Sequence, residues 1–380
     1  YHRKIIIWGA ISTLKPNTES TRNQMKLRKE PDYSHGSMHN VGVLLVNLGT
    51  PEAPTTKSVR KYLGEFLWDS RVVEIPRAIW WLILNGIILR VRPKASAEKY
   101  ASIWSDEGSP LRIFTEKQAT LLQEKFNNSA FPKVIVKSAM RYGAPSVDNA
   151  LSSLRAECCD QILVVPLYPQ FNSSTTASIF DAVFKSFRSV RNVPGLRLIK
   201  HFHDHAGYIS ALSHKVQQYW AEHGKPHKLV LSYHGVPKFS LTKGDPYHCE
   251  CYKTSRLLGE QLDFEPENII TTFQSRFGRA EWLTPYTIEM MKDLGRENTG
   301  RIDVFCPGFV ADCLETLEEI NMENREEFVE HGGGEFHYIP CLNDSPEWIE
   351  GLHQIVSDNT MGWLTHEMTI EDASNQAAKS

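Results

Sequence analysis

Leu229-Val230-Leu231-Ser232-Tyr233-His234-Gly235-Val236-Pro237 opens as a short apolar run and closes in a turn marked by glycine and proline. A run of that length reads as a buried strand whose carboxyl end carries a histidine. Similar β-branched or apolar runs occur at Val43–Val46, Val134–Val136, Ile162–Val165, Leu196–Ile199, Ile269–Thr272, Ile302–Phe305 and Phe336–Ile339. Helix-like stretches separate most of them, among them Thr115–Phe126, Val147–Glu157, Tyr208–His223, Thr254–Leu262 and Trp282–Leu294. Alternation of strand and helix predicts an α/β fold with parallel sheets wound by right-handed crossovers. Eight strands divide into two sheets of about four, and the Pro/Ser/Thr-rich segment Pro166–Thr176 is the expected break.

Composition agrees with a folded body. The chain has 380 residues, 41% hydrophobic and 23% charged, which excludes disordered, collagenous and coiled-coil classes. Lys and Arg number 42 against 45 Asp and Glu, a net charge of −3, so nucleic acid is not an expected partner. The 7 cysteines are odd in number and show no disulfide framework, which predicts a reducing compartment. Ala78 to Val91 is apolar but broken by Asn85, Gly86 and Arg90, too short for the roughly 20 residues of a membrane span. Residues 1–40 read as a disordered or mis-annotated extension, with Met25 or Met38 as the start, and 357–380 as a frayed polar tail.

In folds of this kind a ligand sits at the carboxyl ends of the strands. Here those ends run into Asn47-Leu48-Gly49-Thr50-Pro51, Arg141-Tyr142-Gly143, Leu167-Tyr168-Pro169-Gln170, Tyr233-His234-Gly235, Gln274-Ser275-Arg276-Phe277-Gly278 and Cys306-Pro307-Gly308-Phe309. Turn formers beside aromatics and hydroxyl or basic groups suit a large, flat, aromatic ligand with a few anionic groups. No GxGxxG follows the first strand and no GxxxxGK[ST] occurs, so no nucleotide cofactor is expected. A GxSxG elbow is also missing.

His234 is placed to face the cleft, and an imidazole can accept a proton near neutrality. Position alone fits a hydrogen-bonded turn histidine equally well. Asp312 followed by Glu315 resembles an N-cap with its capping-box partner. Glu315 and Glu319 also share a helical face and, with Asp312, would form an acidic column able to guide a cation or drain protons. On the residues alone the cap reading is the stronger.

These motifs, in this order, resemble those of ferrochelatases, which insert ferrous iron into protoporphyrin. The likeness spans about Val41 to Val356. It includes Val46-Asn47-Leu48-Gly49-Thr50-Pro51, Glu107-Gly108-Ser109-Pro110-Leu111, Ser174-Thr175-Thr176, Gly244-Asp245-Pro246-Tyr247 and Cys313-Leu314-Glu315-Thr316-Leu317-Glu318-Glu319, besides the strand ends above. It looks closest to bacterial members. The resemblance implies two similar doubly wound lobes around a porphyrin cleft, each with a parallel four-stranded sheet flanked by helices. They are expected at 41–170 and 171–344, with a helix at 345–356 packing back on the first.

The resemblance further implies catalytic and metal-ligand roles for His234 and Glu315, a secondary acidic path through Asp312 and Glu319, and porphyrin contacts by Arg141, Tyr142 and Trp282. It makes Fe²⁺ and protoporphyrin IX the substrates and protohaem the product. The segment 79–94, apolar and ending in Arg90, Arg92 and Lys94, resembles the lip of the family's site and would suit peripheral contact with an anionic bilayer at the inner face of a cytoplasmic membrane.

A [2Fe–2S] cluster is not expected, because the C-terminal region holds only Cys341, and Cys249, Cys251, Cys158 and Cys159 make no known ligand set. His201, His203 and His205 alternate in a metal-like way but lack a matched carboxylate or thiol, and read as a polar strand edge. The alternatives are a chelatase for coproporphyrin or for cobalt or nickel, and a non-catalytic tetrapyrrole-binding protein. Oligomeric state stays open.

Overall fold

The computed structural model describes residues 27–32, 39–127, 132–278 and 280–364. Among the described residues eight strands form: β1 Asn40–Gly49, β2 Val134–Tyr142, β3 Cys159–Pro166, β4 Gly195–Leu198, β5 Lys228–His234, β6 Ile269–Gln274, β7 Arg301–Phe305 and β8 Glu335–Tyr338. They make two parallel four-stranded sheets in the orders β2-β1-β3-β4 and β6-β5-β7-β8. Each sheet repeats the same winding, with helices in the crossovers, so the chain has two similar doubly wound lobes.

Parallel strands covered on both faces need apolar side chains on both. In β1, Val41, Val43 and Leu45 face one way and Leu44 and Val46 the other, all fully buried. The first set joins a core that also contains Leu229, Leu231 and Tyr233 of β5 and Trp348, Leu352 and Ile355 of the helix Pro346–Asn359. One continuous apolar cluster therefore spans both lobes. That helix packs on Ala206–His223 as well as on Pro110–Phe126, so it bridges the lobes rather than covering only the first.

The expected break within Pro166–Thr176, and with it the 170/171 boundary, is corrected by the sheet order. β4 pairs with β3, Ile162 opposite Leu196 and Val164 opposite Leu198, so the first sheet extends to Leu198. The Pro/Ser/Thr-rich segment is the carboxyl-end loop of β3 and leads into a π-helical turn, Ser173–Ala177, and the helix Ser178–Phe187. Its turn formers mark a strand end, which a local reading cannot tell from a linker.

The ends of the body also differ from expectation. Within the expected extension, Arg28 pairs with Asp148 at 2.8 Å and Glu30 accepts from the Arg191 N–H at 2.8 Å, so residues 27–32 lie on the first lobe. The rest of the extension before Asn40 lies outside the described residues, apart from His39. Of the expected tail, Ser357–Asn359 continue the last helix, and Arg197 donates to the carbonyls of Asn359 and Met361 at 2.8 and 2.9 Å while stacking on Trp363. Residues 365–380 fall outside the described set. No helix among the described residues is long and apolar enough to cross a membrane.

Candidate active site

In a sheet wound 2-1-3-4 the connections diverge between its second and third strands, opening a crevice at their carboxyl ends. In the second lobe these are β5 and β7. His234 is the last residue of β5, and the segment after β7 leads through Cys306–Leu314 into a π-helix, Glu315–Asn324. The topology thus brings the strand end carrying His234 and the start of the helix at Glu315 to the carboxyl edge of one sheet, although they stand far apart in sequence.

Local geometry sets the chemistry of His234. Its Nδ1 lies 2.6 Å from the Gly235 carbonyl oxygen. A carbonyl can only accept, so Nδ1 carries the hydrogen and Nε2 of the neutral ring presents a lone pair. Gly235 is required by close approach: a Cβ there would lie 2.6 Å from the Gln274 carbonyl oxygen and 3.2 Å from the Trp282 ring. Its N–H donates to that same Gln274 oxygen at 2.7 Å.

Gln274, opposite His234 in the sheet, ties the acidic helix to the strand ends. Its amide donates to the Glu315 carbonyl at 2.8 Å, while its own Oε1 accepts from the Ser232 hydroxyl at 2.8 Å. Glu319 accepts from the Ser275 N–H at 2.6 Å and from the Ser275 hydroxyl. Burial pushes the Glu319 carboxyl above its ordinary value; the Ser275 hydrogen bonds and a positive charge on His234 oppose this, and the Glu315 charge adds to it. Glu319 therefore responds to His234 and Glu315 together, which puts the three groups in one electrostatic neighbourhood.

The first lobe closes the opposite side with aromatics. Leu314 packs with Tyr62, Tyr100 and Tyr142. Burial raises the phenols of Tyr62, Tyr100 and Tyr168 far above their usual range, and the Glu315 charge acts in the same direction on all three. Burial keeps all three phenols protonated.

A family model of ferrochelatases matches residues 40–360. The chain belongs to the ferrochelatase family. Over 335 residues it is 57% identical to the ferrochelatase of Aromatoleum aromaticum, covering 88% of this chain and 92% of that one. Against the ferrochelatase of Chromobacterium violaceum the identity is 52% over 349 residues, covering 92% and 95%. Among solved structures, SirB from Bacillus subtilis with Fe³⁺ has a TM-score of 0.50 at 11% identity, covering 86% of this chain and 97% of that one, a likeness of fold. The chain is therefore an enzyme that inserts iron into a porphyrin, with ferrous iron as substrate.

The remaining sequence-derived residues are placed unevenly. Tyr142 is 2% exposed, within the buried cluster of Tyr62 and Tyr100. Its hydroxyl and the Arg141 guanidinium both reach Asp69 Oδ2, at 2.9 and 2.5 Å, and Arg141 Nε donates to the Ser178 hydroxyl at 2.7 Å. Burial alone would raise the Asp69 carboxyl, but hydrogen bonds from Ser178, the Arg71 N–H and Tyr142, with the Arg141 charge, hold it below its ordinary value. Trp282 lies against the turn after His234, bridged to Pro237.

Asp312 does not share the Glu319 wall's hydrogen bonds. It accepts from the Asn343 amide at 2.6 Å, from the Thr316 hydroxyl at 3.1 Å and from Tyr338, and borders a cavity of about 440 Å³ lined also by His337 and Arg325. The capping role also falls elsewhere. Thr316 Oγ1 accepts from the Cys313 N–H at 3.0 Å, the return half of a capping box, which leaves the Glu315 carboxylate outside the cap.

Several residues carried no role in the sequence reading. Ser275 and Gln274 stood in a strand-end motif, and that position was their only signal. Lys99 pairs with Glu318 at 2.9 Å and with Glu323, and Arg92 stacks on Phe277 at 4.6 Å, so the helix Leu89–Ile103 is fastened to the second lobe. Nothing in the spacing of Lys99 or Arg92 announces a partner in the other lobe.

Proposed function

We propose that the chain inserts Fe²⁺ into protoporphyrin IX to give protohaem, with His234, Glu315 and Glu319 acting on one face of the ring. Insertion breaks two pyrrole N–H bonds and forms four Fe–N bonds, releasing two protons. His234 Nε2, left basic by the bond from Nδ1 to Gly235, takes up a pyrrole proton or holds the ion. Imidazole and carboxylate are ligands of intermediate hardness that hold Fe²⁺ without trapping it as thiolates do. Glu319, its carboxyl raised by burial, receives the proton and passes it outward.

The single observation carrying this reading is that Gln274, opposite His234 in the sheet, binds the Glu315 carbonyl while its neighbour Ser275 binds the Glu319 carboxylate. Trp282 supplies apolar surface to the macrocycle and Arg141 lends positive charge, while the buried Tyr142 backs Arg141 by sharing Asp69 with it. Asp312 remains the inner end of the acidic path, acting through Thr316 at the base of the helix. Tyr168 Oη and Trp282 Nε1 are buried without a hydrogen-bond partner, which supports a cleft completed by a ligand.

The lip supports work at a cytoplasmic membrane face. Trp81 is 54% and Leu82 64% exposed, beside Arg90 and Lys94.

The test is anaerobic incubation of wild type and His234→Ala with Fe²⁺ and protoporphyrin IX, followed by visible absorption. A fall in kcat of roughly 10²- to 10⁴-fold is expected for loss of a proton acceptor. Near-normal turnover by the variant would remove His234 from the chemistry.

A further inference from the structure

The histidines after β4 find in the fold the carboxylate they lack in sequence. Glu250 comes from the first turn of the helix Tyr247–Leu262, between the two cysteines of His248-Cys249-Glu250-Cys251. Those cysteines draw the eye, but Cys249 is exposed and Cys251 buried, so they point apart. It is Glu250 that meets the histidines. His201 Nδ1 lies 2.7 Å from Glu250 Oε1 and His203 Nδ1 3.5 Å from Glu250 Oε2. One donor atom from each of the three lies within 4.8 Å of the others.

We infer that His201, His203 and Glu250 form a site for a divalent transition-metal ion of the Zn²⁺ or Fe²⁺ class, built from none of the donors of the porphyrin cleft. Two imidazoles and one carboxylate, leaving further positions open, are the donor set such ions take, whereas Mg²⁺ and Ca²⁺ prefer oxygen throughout.

A second observation points to an occupant. His203 is only 5% exposed, and its Nδ1 is buried without a hydrogen-bond partner. An orphaned ring nitrogen aimed at a buried carboxylate is costly unless something fills the gap. The Glu250 side chain is itself 7% exposed. Neighbouring groups hold the donors in place, as outer-shell partners do. The Phe171 N–H donates to Glu250 Oε2 at 2.7 Å, and the Thr254 hydroxyl donates to the His203 carbonyl at 2.8 Å. His205 takes no part: it caps the next helix through Gly207 and pairs with Asp358.

The position gives the ion a structural consequence. Phe171 follows β3 and the histidines follow β4, both of the first sheet, while Glu250 lies on a helix of the second lobe. A bound ion would link the lobes behind the cleft.

The experiment uses full-length protein carrying His234→Ala and Glu315→Gln, stripped of metal and titrated with Co²⁺ alone by equilibrium dialysis and visible absorption. One equivalent is expected to bind, with d–d bands of a low-coordinate site and a rise in melting temperature. Adding His201→Ala is expected to weaken binding by more than the roughly 10- to 100-fold that an outer-shell change costs, and to abolish the melting shift. His201 has a side chain 39% exposed, so its loss disturbs little packing. His201→Gln serves the same comparison if alanine lowers the metal-free melting temperature. A cleft-deficient protein that binds no Co²⁺, or His201 variants that bind it as tightly as their parent, would overturn the site. Neither result touches the role of His234.

Discussion

Ser275 grips Glu319 from a left-handed backbone. Its φ is +64°, a conformation that side-chain-bearing residues seldom adopt, and the turn it makes brings its N–H to 2.6 Å from Glu319 Oε1 while its hydroxyl donates to Oε2. The strain sits where β6 meets the acidic helix, the junction that holds Glu319 beside His234.

Ser275→Gly separates the two bonds. Glycine adopts this φ without cost and keeps the N–H, but loses the hydroxyl. Glu319 then has less to offset its burial, so its carboxyl rises further. The acidic limb of the kcat–pH profile is expected to move upward while stability changes by less than about 1 kcal/mol. An unmoved limb with unchanged kcat would detach Glu319 from the proton path.

Stability carries the same signature with a definite sign. The folded Glu319 carboxyl lies above its ordinary 4.5, so the fold favours the protonated form. Its favourable contribution is complete below 4.5 and is lost as pH rises through the folded value. Glu319→Gln stays neutral throughout, so its stability relative to wild type should be higher at pH 7 than at pH 4. Urea unfolding at the two pH values checks this.

Asp69 behaves oppositely. Its carboxyl lies below the ordinary 3.8, so it stabilises above that value and the contribution fades as pH falls through the folded value. Asp69→Asn strands the Arg141 guanidinium, whose side chain is 20% exposed, and should cost about 3 kcal/mol at pH 7. A loss below about 0.5 kcal/mol in denaturant titration would mean the pair is solvent-screened.

Gly235→Ala tests the packing behind His234. The new methyl would meet the Gln274 carbonyl oxygen at 2.6 Å, so the turn must move. Overpacking of this kind costs about 1–3 kcal/mol. Because the Gly235 carbonyl fixes the His234 tautomer, kcat should fall at least about tenfold, a misplacement effect. Turnover and melting of the variant, measured together, separate the two effects.

The lip makes its own prediction. Replacing Trp81 and Leu82 with serine should reduce co-sedimentation with anionic vesicles, and raising salt should weaken binding of the unaltered chain, because both apolar area and cationic charge contribute. Metal insertion into porphyrin presented in detergent should be preserved. Equal binding by variant and wild type would assign the exposed lip another purpose.

All eight strands were readable from short apolar runs, because a parallel sheet covered on both faces demands them over a few consecutive residues. The strand-end motifs likewise set His234 at the carboxyl end of a strand, since turn chemistry is local, whereas Glu315 read as part of a helix cap and drew its role from the family resemblance alone. What linear order could not carry was everything made by chain crossing. β4 reads the same whether it joins the first sheet or the second, and only its pairing with β3 assigns it. Glu250 reads as a surface helix residue until the helix folds against His201 and His203. Thr316, not Glu315, completes the cap, a matter of side-chain reach within one turn. Local residues specify elements and their ends; which distant side chains share a pocket depends on the sheet order and on how the two lobes pack around one core.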